Sequence, residues 1–172
     1  MDMIFSPMLT VCGIEELPDQ RSRSVTHVLS IVDPDLPELE AFSTYGQHHR
    51  MTLRFHDIIA AAPQRVMPQP DHVEAVLKFG EDFLAQQDRQ ASSHLLVHCH
   101  MGVSRSTAAM LTLMAQANPD EAAESLFARL LAIRPQAWPN SQIVGFADEQ
   151  LGRKGELTAA LRHHYGRQIK SR

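Results

Sequence analysis

Three consecutive apolar residues, Leu95-Leu96-Val97, run straight into the polar stretch His98-Cys99-His100-Met101-Gly102-Val103-Ser104-Arg105-Ser106-Thr107, and the chain then turns apolar nearly all round from Ala108 to Ala117. A short continuous apolar run suits a strand covered on both faces. A segment apolar all round suits a helix buried on several sides. A buried strand that feeds a buried helix through a short loop is half of a βα unit, which commits the chain to a layered α/β fold. The loop falls beyond the carboxyl end of a strand, where α/β sheets place their ligand sites.

The flanking sequence agrees. Leu9 to Gly13 and Val25 to Val32 read as β-branched, apolar strands, with Val32-Asp33-Pro34-Asp35 as a turn after the second. Met51-Thr52-Leu53-Arg54-Phe55 alternates at period two, the pattern of a half-buried strand. Beyond Pro63, Pro68 and Pro70, the helical spacing of Val73, Val76, Leu77, Gly80, Phe83 and Leu84 predicts a helix, with Asp71 and Glu74 as a capping-box-like start. Asn118-Pro119-Asp120-Glu121 reads as the start of another, with an N-cap and a proline in first position; its apolar face includes Leu126, Phe127 and Leu130, and it closes at Arg134-Pro135. Ile143, Val144, Phe146, Ala147 and Leu151 outline a further helix, and 156–167 a last one. The expectation is one α/β domain over 1–172, a central, mostly parallel sheet flanked by helices, with the polar loop between a central strand and a buried helix.

Composition narrows the function classes. A chain of 172 residues, 44% hydrophobic and 21% charged, can bury a core without disulfides or a structural metal. The net charge of −4 divides unevenly: residues 1–150 hold 10 Lys/Arg against 19 Asp/Glu, whereas 151–172 hold 6 against Glu156 alone. The body, at about −9, is a poor general surface for nucleic acid, and 155–172 reads as a basic, solvated C-terminal helix or tail. No apolar stretch reaches the ~18 residues of a membrane span, and the start lacks the pattern of a signal peptide. Cys12 and Cys99 make no disulfide framework, so the expected compartment is the cytoplasm. His98 and His100 flank Cys99, yet neighbours on a strand point opposite ways and no second Cys pair exists, so no metal is expected. His48-His49 and His163-His164 read as surface pairs, and Cys12 as a small core residue.

The polar loop carries the chemistry. A helix N-terminus presents unpaired N–H groups and a positive dipole end to whatever the loop holds. Small residues there let the backbone amides from His100 to Arg105 curl into an anion-binding nest. Gly102 frees the turn, and the planar fork of Arg105 can grip two oxygens of a phosphate. Cys99 at the floor of such a cradle meets a dipole, amides and a guanidinium that all favour thiolate over thiol. The parts suit displacement at phosphorus: the sulfur attacks, and the amides of His100, Met101, Gly102, Val103 and Ser104, with Arg105, stabilise the equatorial oxygens.

On His98, Cys99, Arg105 and Ser106 the sequence resembles the cysteine-dependent protein tyrosine phosphatase superfamily, whose signature is His-Cys, five residues, then Arg and Ser or Thr. Its length and its lack of a Lys-Asn-Arg-Tyr loop make it similar to the small, dual-specificity-like members. The resemblance implies Cys99 as nucleophile, Arg105 as phosphate clamp, Ser106 as the hydroxyl that eases departure of the sulfur, and His98 as a support for the thiol. It implies no cofactor. It also implies an upstream Asp as general acid, then base. Asp57, directly after the alternating strand, is the first candidate on loop placement; Asp71 competes, although an N-cap role already explains it. The 42 positions between Asp57 and Cys99 exceed the usual gap, and the Pro-rich 63–70 stretch can absorb them as an insertion. Ala137-Trp138-Pro139-Asn140 resembles the Pro-Asn element that follows the signature, with Asn140 either closing the site or capping a helix.

Three readings follow from different classes: a phosphomonoester hydrolase acting on phosphotyrosine-containing protein or a small aryl phosphate, an arsenate reductase-like redox enzyme for which only Cys12 could resolve Cys99, and a silent phosphate-binding module. The five variable loop positions carry no Lys or Arg, which argues against polyphosphorylated lipid substrates. Tyrosine is expected over serine because Met101 and Val103 can pack beside an aromatic stem, whereas a short alkyl stem does not bring its phosphate down to Cys99.

Overall fold

The computed structural model describes residues 7–87 and 92–171. Four strands, β1 (Met8–Cys12), β2 (His27–Val32), β3 (His49–Arg54) and β4 (His94–His98), form one sheet in the order β1-β4-β2-β3. Every neighbouring pair is parallel, so the sheet is wholly rather than mostly parallel. β4 lies between β1 and β2, and all five of its residues are buried, as its unbroken apolar centre demands. In register, His98 faces Cys12 on one side and Ser30 on the other, so three strands end close to one level. The polar loop leaves the sheet at that level.

The two faces are covered differently. Helices α1 (Pro70–Gln87), α2 (Arg105–Ala117), α3 (Ala123–Ile133), α4 (Ser141–Gln150) and α5 (Glu156–Lys170) share one core with Val11, Leu29, Ile31, Leu95 and Val97. Leu111, Leu126 and Leu130 are fully buried in it, each stabilising the fold by roughly 1.5–3 kcal/mol. The other face, bearing Cys12, Val28 and Leu96, is closed by two short 3₁₀ segments, Ile14–Gln20 and Glu40–Thr44, through Leu17 and Phe42. Helix α2 is buried on nearly every side. It starts at Arg105, three residues before its apolar run, so the signature arginine sits in its first turn.

Some local signals were redirected by tertiary contacts. The helix expected from Asn118 begins at Ala123. Asn118 is the C-cap of α2, its Nδ2 donating to the Met114 carbonyl (2.9 Å), and the buried guanidinium of Arg153 collects the carbonyls of Ala115, Asn118 and Glu121. Residues 118–121 are thereby spent on closing one helix rather than opening the next. Helix α1 starts at Pro70, with Asp71 inside its first turn; His72 Nδ1 accepts from the Gln69 N–H (3.0 Å), the contact a capping residue makes. His164 is fully buried, not at the surface, and donates through Nε2 to the Ala137 carbonyl (2.7 Å).

Candidate active site

The loop from Cys99 to Ser104 is held from outside, one carbonyl at a time. The Cys99 carbonyl accepts from His98 Nδ1 (3.2 Å), and that of His100 accepts from the Ile14 N–H (3.0 Å). Arg134 donates from Nη2 to the Met101 carbonyl (3.1 Å) and from Nε to that of Gly102 (2.9 Å). The Val103 carbonyl accepts from the Trp138 N–H (2.8 Å) and Thr107 Oγ1 (2.6 Å), and the Ser104 carbonyl from the N–H groups of Ala108 (3.1 Å) and Asn140 (3.2 Å). In a trans peptide the N–H points away from the preceding carbonyl. With the five carbonyls of His100 to Ser104 bonded to the surroundings, the amides of Met101 to Arg105 are left for the interior, and these five donate to no other group among the described residues. Gly102 makes the turn at φ +71°, and a Cβ there would stand 2.5 Å from the Cys12 carbonyl carbon and 2.7 Å from the Gly13 nitrogen. Only glycine fits.

Cys99 is buried beneath this ring, with Sγ 3.0 Å from Ser106 Oγ. The Arg105 guanidinium, also buried, donates through Nη1 to Asp33 Oδ1 (2.8 Å) and to the Phe55 carbonyl (2.6 Å). Its Nε is buried without a partner. A guanidinium fixed at one nitrogen and unsatisfied at another is incomplete until an acceptor arrives. Burial pushes the Asp33 carboxyl up, but Arg105, with help from His100 and His56, outweighs it and holds the group below its ordinary range. Asp33 therefore stays anionic opposite Arg105.

Asp57 reaches the loop as well. Its Oδ1 accepts from Ser104 Oγ (2.7 Å) and from Asn140 Nδ2 (3.0 Å). Asn140 meets the capping expectation, since its Oδ1 caps α4 by accepting from the N–H groups of Gln142 (3.0 Å) and Ile143 (3.2 Å). The chain after Asp57 forms a loop pinched at its base: the His56 N–H donates to the Val66 carbonyl (2.8 Å), and the Val66 N–H to His56 Nδ1 (2.9 Å). Asp57 sits at the neck, next to the pinch. Asp71 lies in α1, outside these contacts.

The two histidines that flank Cys99 are fixed as particular tautomers. His98 Nδ1 faces a carbonyl and must carry the proton, so Nε2 accepts from Ser30 Oγ (2.6 Å). Burial pushes His98 down to about 4, leaving it neutral near pH 7. His100 Nε2 accepts from the Asp33 N–H (3.0 Å), and burial, only partly offset by Asp33, lowers its basicity too.

Three residues at the site escaped the sequence reading. Asp33 was assigned to a turn, Glu16 to no role, and Arg134 to a helix end. Glu16 accepts from Arg134 Nη1 (2.8 Å) and Nη2 (2.6 Å), and its Oε1 also accepts from the Gly13 N–H (3.1 Å). The partners are 118 positions apart, and no local pattern could have joined them. Cys12 packs in the core on the other face of the sheet from that holding Cys99, and burial pushes its thiol up to about 12. Such a thiol is a poor resolving partner. Among the described residues no group of three or more His, Cys, Asp or Glu is placed to hold a metal ion, and no helix is long and apolar enough to cross a membrane.

No family model and no curated protein sequence matches the chain. Solved structures do. The Cydia pomonella PTP-2 phosphatase aligns with a TM-score of 0.63 at 18% identity, over 85% of this chain and 87% of its own. The human tyrosine phosphatase-like serine/threonine/tyrosine-interacting protein gives 0.61 at 17%, over 88% and 95%. DUSP15 gives 0.59 at 20%, over 99% and 95%. The chain has the α/β fold of the small tyrosine and dual-specificity phosphatases. At 17–20% identity these likenesses show the fold.

Proposed function

We propose that the chain is a cysteine-dependent phosphomonoester hydrolase that acts on phosphotyrosine-type substrates through a phosphocysteine intermediate. The observation that carries this reading is the ring of five undonated amides above a buried cysteine, closed by an arginine whose Nε lacks a partner. In the first step the Cys99 thiolate forms the S–P bond as the P–O bond to the phenol breaks. The proton for the departing oxygen comes from Asp57, from Oδ2, because Oδ1 already accepts two hydrogen bonds. The amides and Arg105 stabilise the equatorial oxygens where charge gathers. In the second step water attacks phosphorus and gives its proton back to Asp57, and the S–P bond breaks with its electron pair returning to sulfur. The Ser106 hydroxyl donates a hydrogen bond to the released thiolate and keeps its proton. Phosphate leaves. A free thiol must survive between turnovers, which suits the reducing cytoplasm.

The surroundings favour one phosphate on an aromatic stem. Arg54 is taken up by the carbonyls of Asp33, Pro34 and Leu36, and Arg134 by Glu16 and the loop. A second phosphate would find neither guanidinium unoccupied. Met101 in the loop is 73% exposed, and Ile59 and Val66 are exposed on the loop that carries Asp57, so apolar side chains flank the approach. Purified protein should hydrolyse p-nitrophenyl phosphate, and Cys99→Ser should lose turnover by on the order of 10⁵-fold while still binding tungstate. Turnover surviving in clean Cys99→Ser protein would end this reading. The specificity claim is read from kcat/KM on phosphotyrosine, phosphoserine and phosphoinositide substrates at one ionic strength; equal rates on the inositol lipids would remove it.

A further inference from the structure

The segment between α3 and α4, residues 134–140, touches the site at both of its ends and at its middle. Arg134 holds two loop carbonyls, the Trp138 N–H holds a third, and the Asn140 N–H a fourth, while the Asn140 side chain holds the Asp57 carboxylate. The segment is in turn gripped from behind by α5. His164 donates to the Ala137 carbonyl, Gln168 Nε2 donates to those of Pro135 (2.9 Å) and Ala137 (3.1 Å), and the Tyr165 hydroxyl donates to that of Pro139. The ring of Tyr165 also stacks on Trp138 with centroids 4.4 Å apart. Helix α5 is thus a backing plate for the segment rather than a free basic tail.

We propose, on the phosphatase reading above, that 134–140 is a strap that positions two separate parts of the machinery. Arg134, anchored by Glu16, sets the amide ring that binds the phosphoryl oxygens. Asn140 sets the general acid. Neither is a catalytic residue, because each acts through another group. The division follows from peptide geometry. Pulling the carbonyls of Met101 and Gly102 outward fixes the planes whose N–H groups, those of Gly102 and Val103, face the interior. Arg134 is raised and Glu16 lowered in pKa, each chiefly by the hydrogen bonds they share, so the pair stays charged around neutrality. Among the described residues the Asn140 side-chain amide hydrogen-bonds to Asp57, the Ile58 carbonyl and its own helix cap, and to no carbonyl of the ring, so its loss leaves the ring's outer bonds in place.

Two readouts separate the ends. Tungstate binding by calorimetry reports the ring alone, since tungstate needs no proton. The ratio of kcat on phenyl phosphate to kcat on p-nitrophenyl phosphate reports the acid, since only the poorer leaving group depends on it. Arg134→Met should weaken tungstate by about 10- to 100-fold and lower kcat/KM on both esters alike. Asn140→Ser, which retains a capping oxygen for α4, should leave tungstate within about twofold and lower the kcat ratio by about 10-fold. Glu16→Gln keeps Arg134 in place without its charged anchor, and it should weaken tungstate by a smaller factor; it answers the question if Arg134→Met does not fold. Folded Arg134→Met or Glu16→Gln with wild-type tungstate affinity overturns the ring half of the proposal. Asn140→Ser that shifts tungstate as much as Arg134→Met, or leaves the kcat ratio unchanged, overturns the division. Wild-type protein that neither binds tungstate nor hydrolyses either ester overturns the phosphatase reading, and the strap with it.

Discussion

The loop from Cys99 to Ser104 has an inner and an outer side, and they are made from different parts of the chain. The inner side is local. Its sulfur, amides and guanidinium all come from residues 99–105, so one stretch of sequence spells it out. The outer side is largely remote: beside the local donors His98, Thr107 and Ala108, it draws on Ile14, Arg134, Trp138 and Asn140, and Asp33 and Phe55 hold Arg105 from beyond the loop. The inner side determines which chemistry is available, and the outer side determines whether the groups point the right way to perform it. Losses on the inner side should appear in the chemical step, and losses on the outer side in oxyanion affinity.

The largest expected effect outside the nucleophile is at Asp57. Asp57→Asn should cut kcat on phenyl phosphate by about 10²–10⁴-fold, and by much less on p-nitrophenyl phosphate, with tungstate affinity unchanged. A matched loss of tungstate binding would place Asp57 among the supports instead. The same pattern in Asp71→Asn, with Asp57→Asn unaffected, would transfer the acid to α1.

Gly102 is where the loop passes hard against the main chain of Cys12 and Gly13. An alanine methyl would drive against the main chain of Cys12 and Gly13, and neither is the tip of a flexible side chain. Gly102→Ala should therefore weaken tungstate and lower kcat/KM on both esters by about 10²-fold, without the leaving-group dependence of Asp57→Asn. Unchanged binding in a folded Gly102→Ala would show that the ring tolerates displacement, which the outer bonds argue against.

The same contrast explains what was legible in the sequence. The apolar run of β4, the all-round apolar α2 and the loop between them were readable because periodicity and side-chain type are local properties. The candidate acid was readable too, because a strand end fixes which loop follows it. Residues 118–121 misled, because an N-cap signature and a C-cap with a following turn draw on the same residue types, and only the distant Arg153 decides between them. Arg134 and Glu16 could not be joined by any rule of spacing. The burial of His164 depends on how α5 packs behind the strap, and a helical pattern alone does not say which neighbour its apolar face meets.

A smaller effect is expected at Asp33, which holds one nitrogen of Arg105 while leaving Nε for the ligand. Asp33→Asn keeps the shape and an acceptor oxygen but removes the charge facing a buried guanidinium. The Phe55 carbonyl still fixes Nη1, so the expected loss in tungstate affinity is about 10-fold rather than complete. Stronger binding would instead show that Asp33 competes with the oxyanion, and would move Asp33 from support to autoinhibition.

The smallest effect near neutrality, and the one that grows on acidification, belongs to His98. It extends the outer pattern one residue upstream: Arg50 Nε donates to Ser30 Oγ (2.9 Å), Ser30 donates to His98 Nε2, and His98 Nδ1 donates to the Cys99 carbonyl. Burial lowers the His98 pKa from 6.5 to about 4, so between those values the unfolded chain takes up a proton that the folded chain refuses. Stability from this group is complete above about pH 6.5 and drains away as pH falls toward 4, by at most about 3 kcal/mol. His27, His72, His94, His100 and His164 are shifted the same way, each chiefly by burial, so the wild type should lose stability steeply across this window. Glu16 and Asp33 are lowered carboxylates, whose stabilisation is lost mainly below it. His98→Asn should therefore leave most of the acid loss in place but make it shallower, whatever constant offset the substitution adds at pH 7.5. Urea midpoints at pH 7.5, 6.0 and 5.0 for both proteins decide the matter. Parallel decline of the two would mean that the folded chain takes up the His98 proton as readily as the unfolded chain, and that burial does not hold the ring neutral beneath the loop.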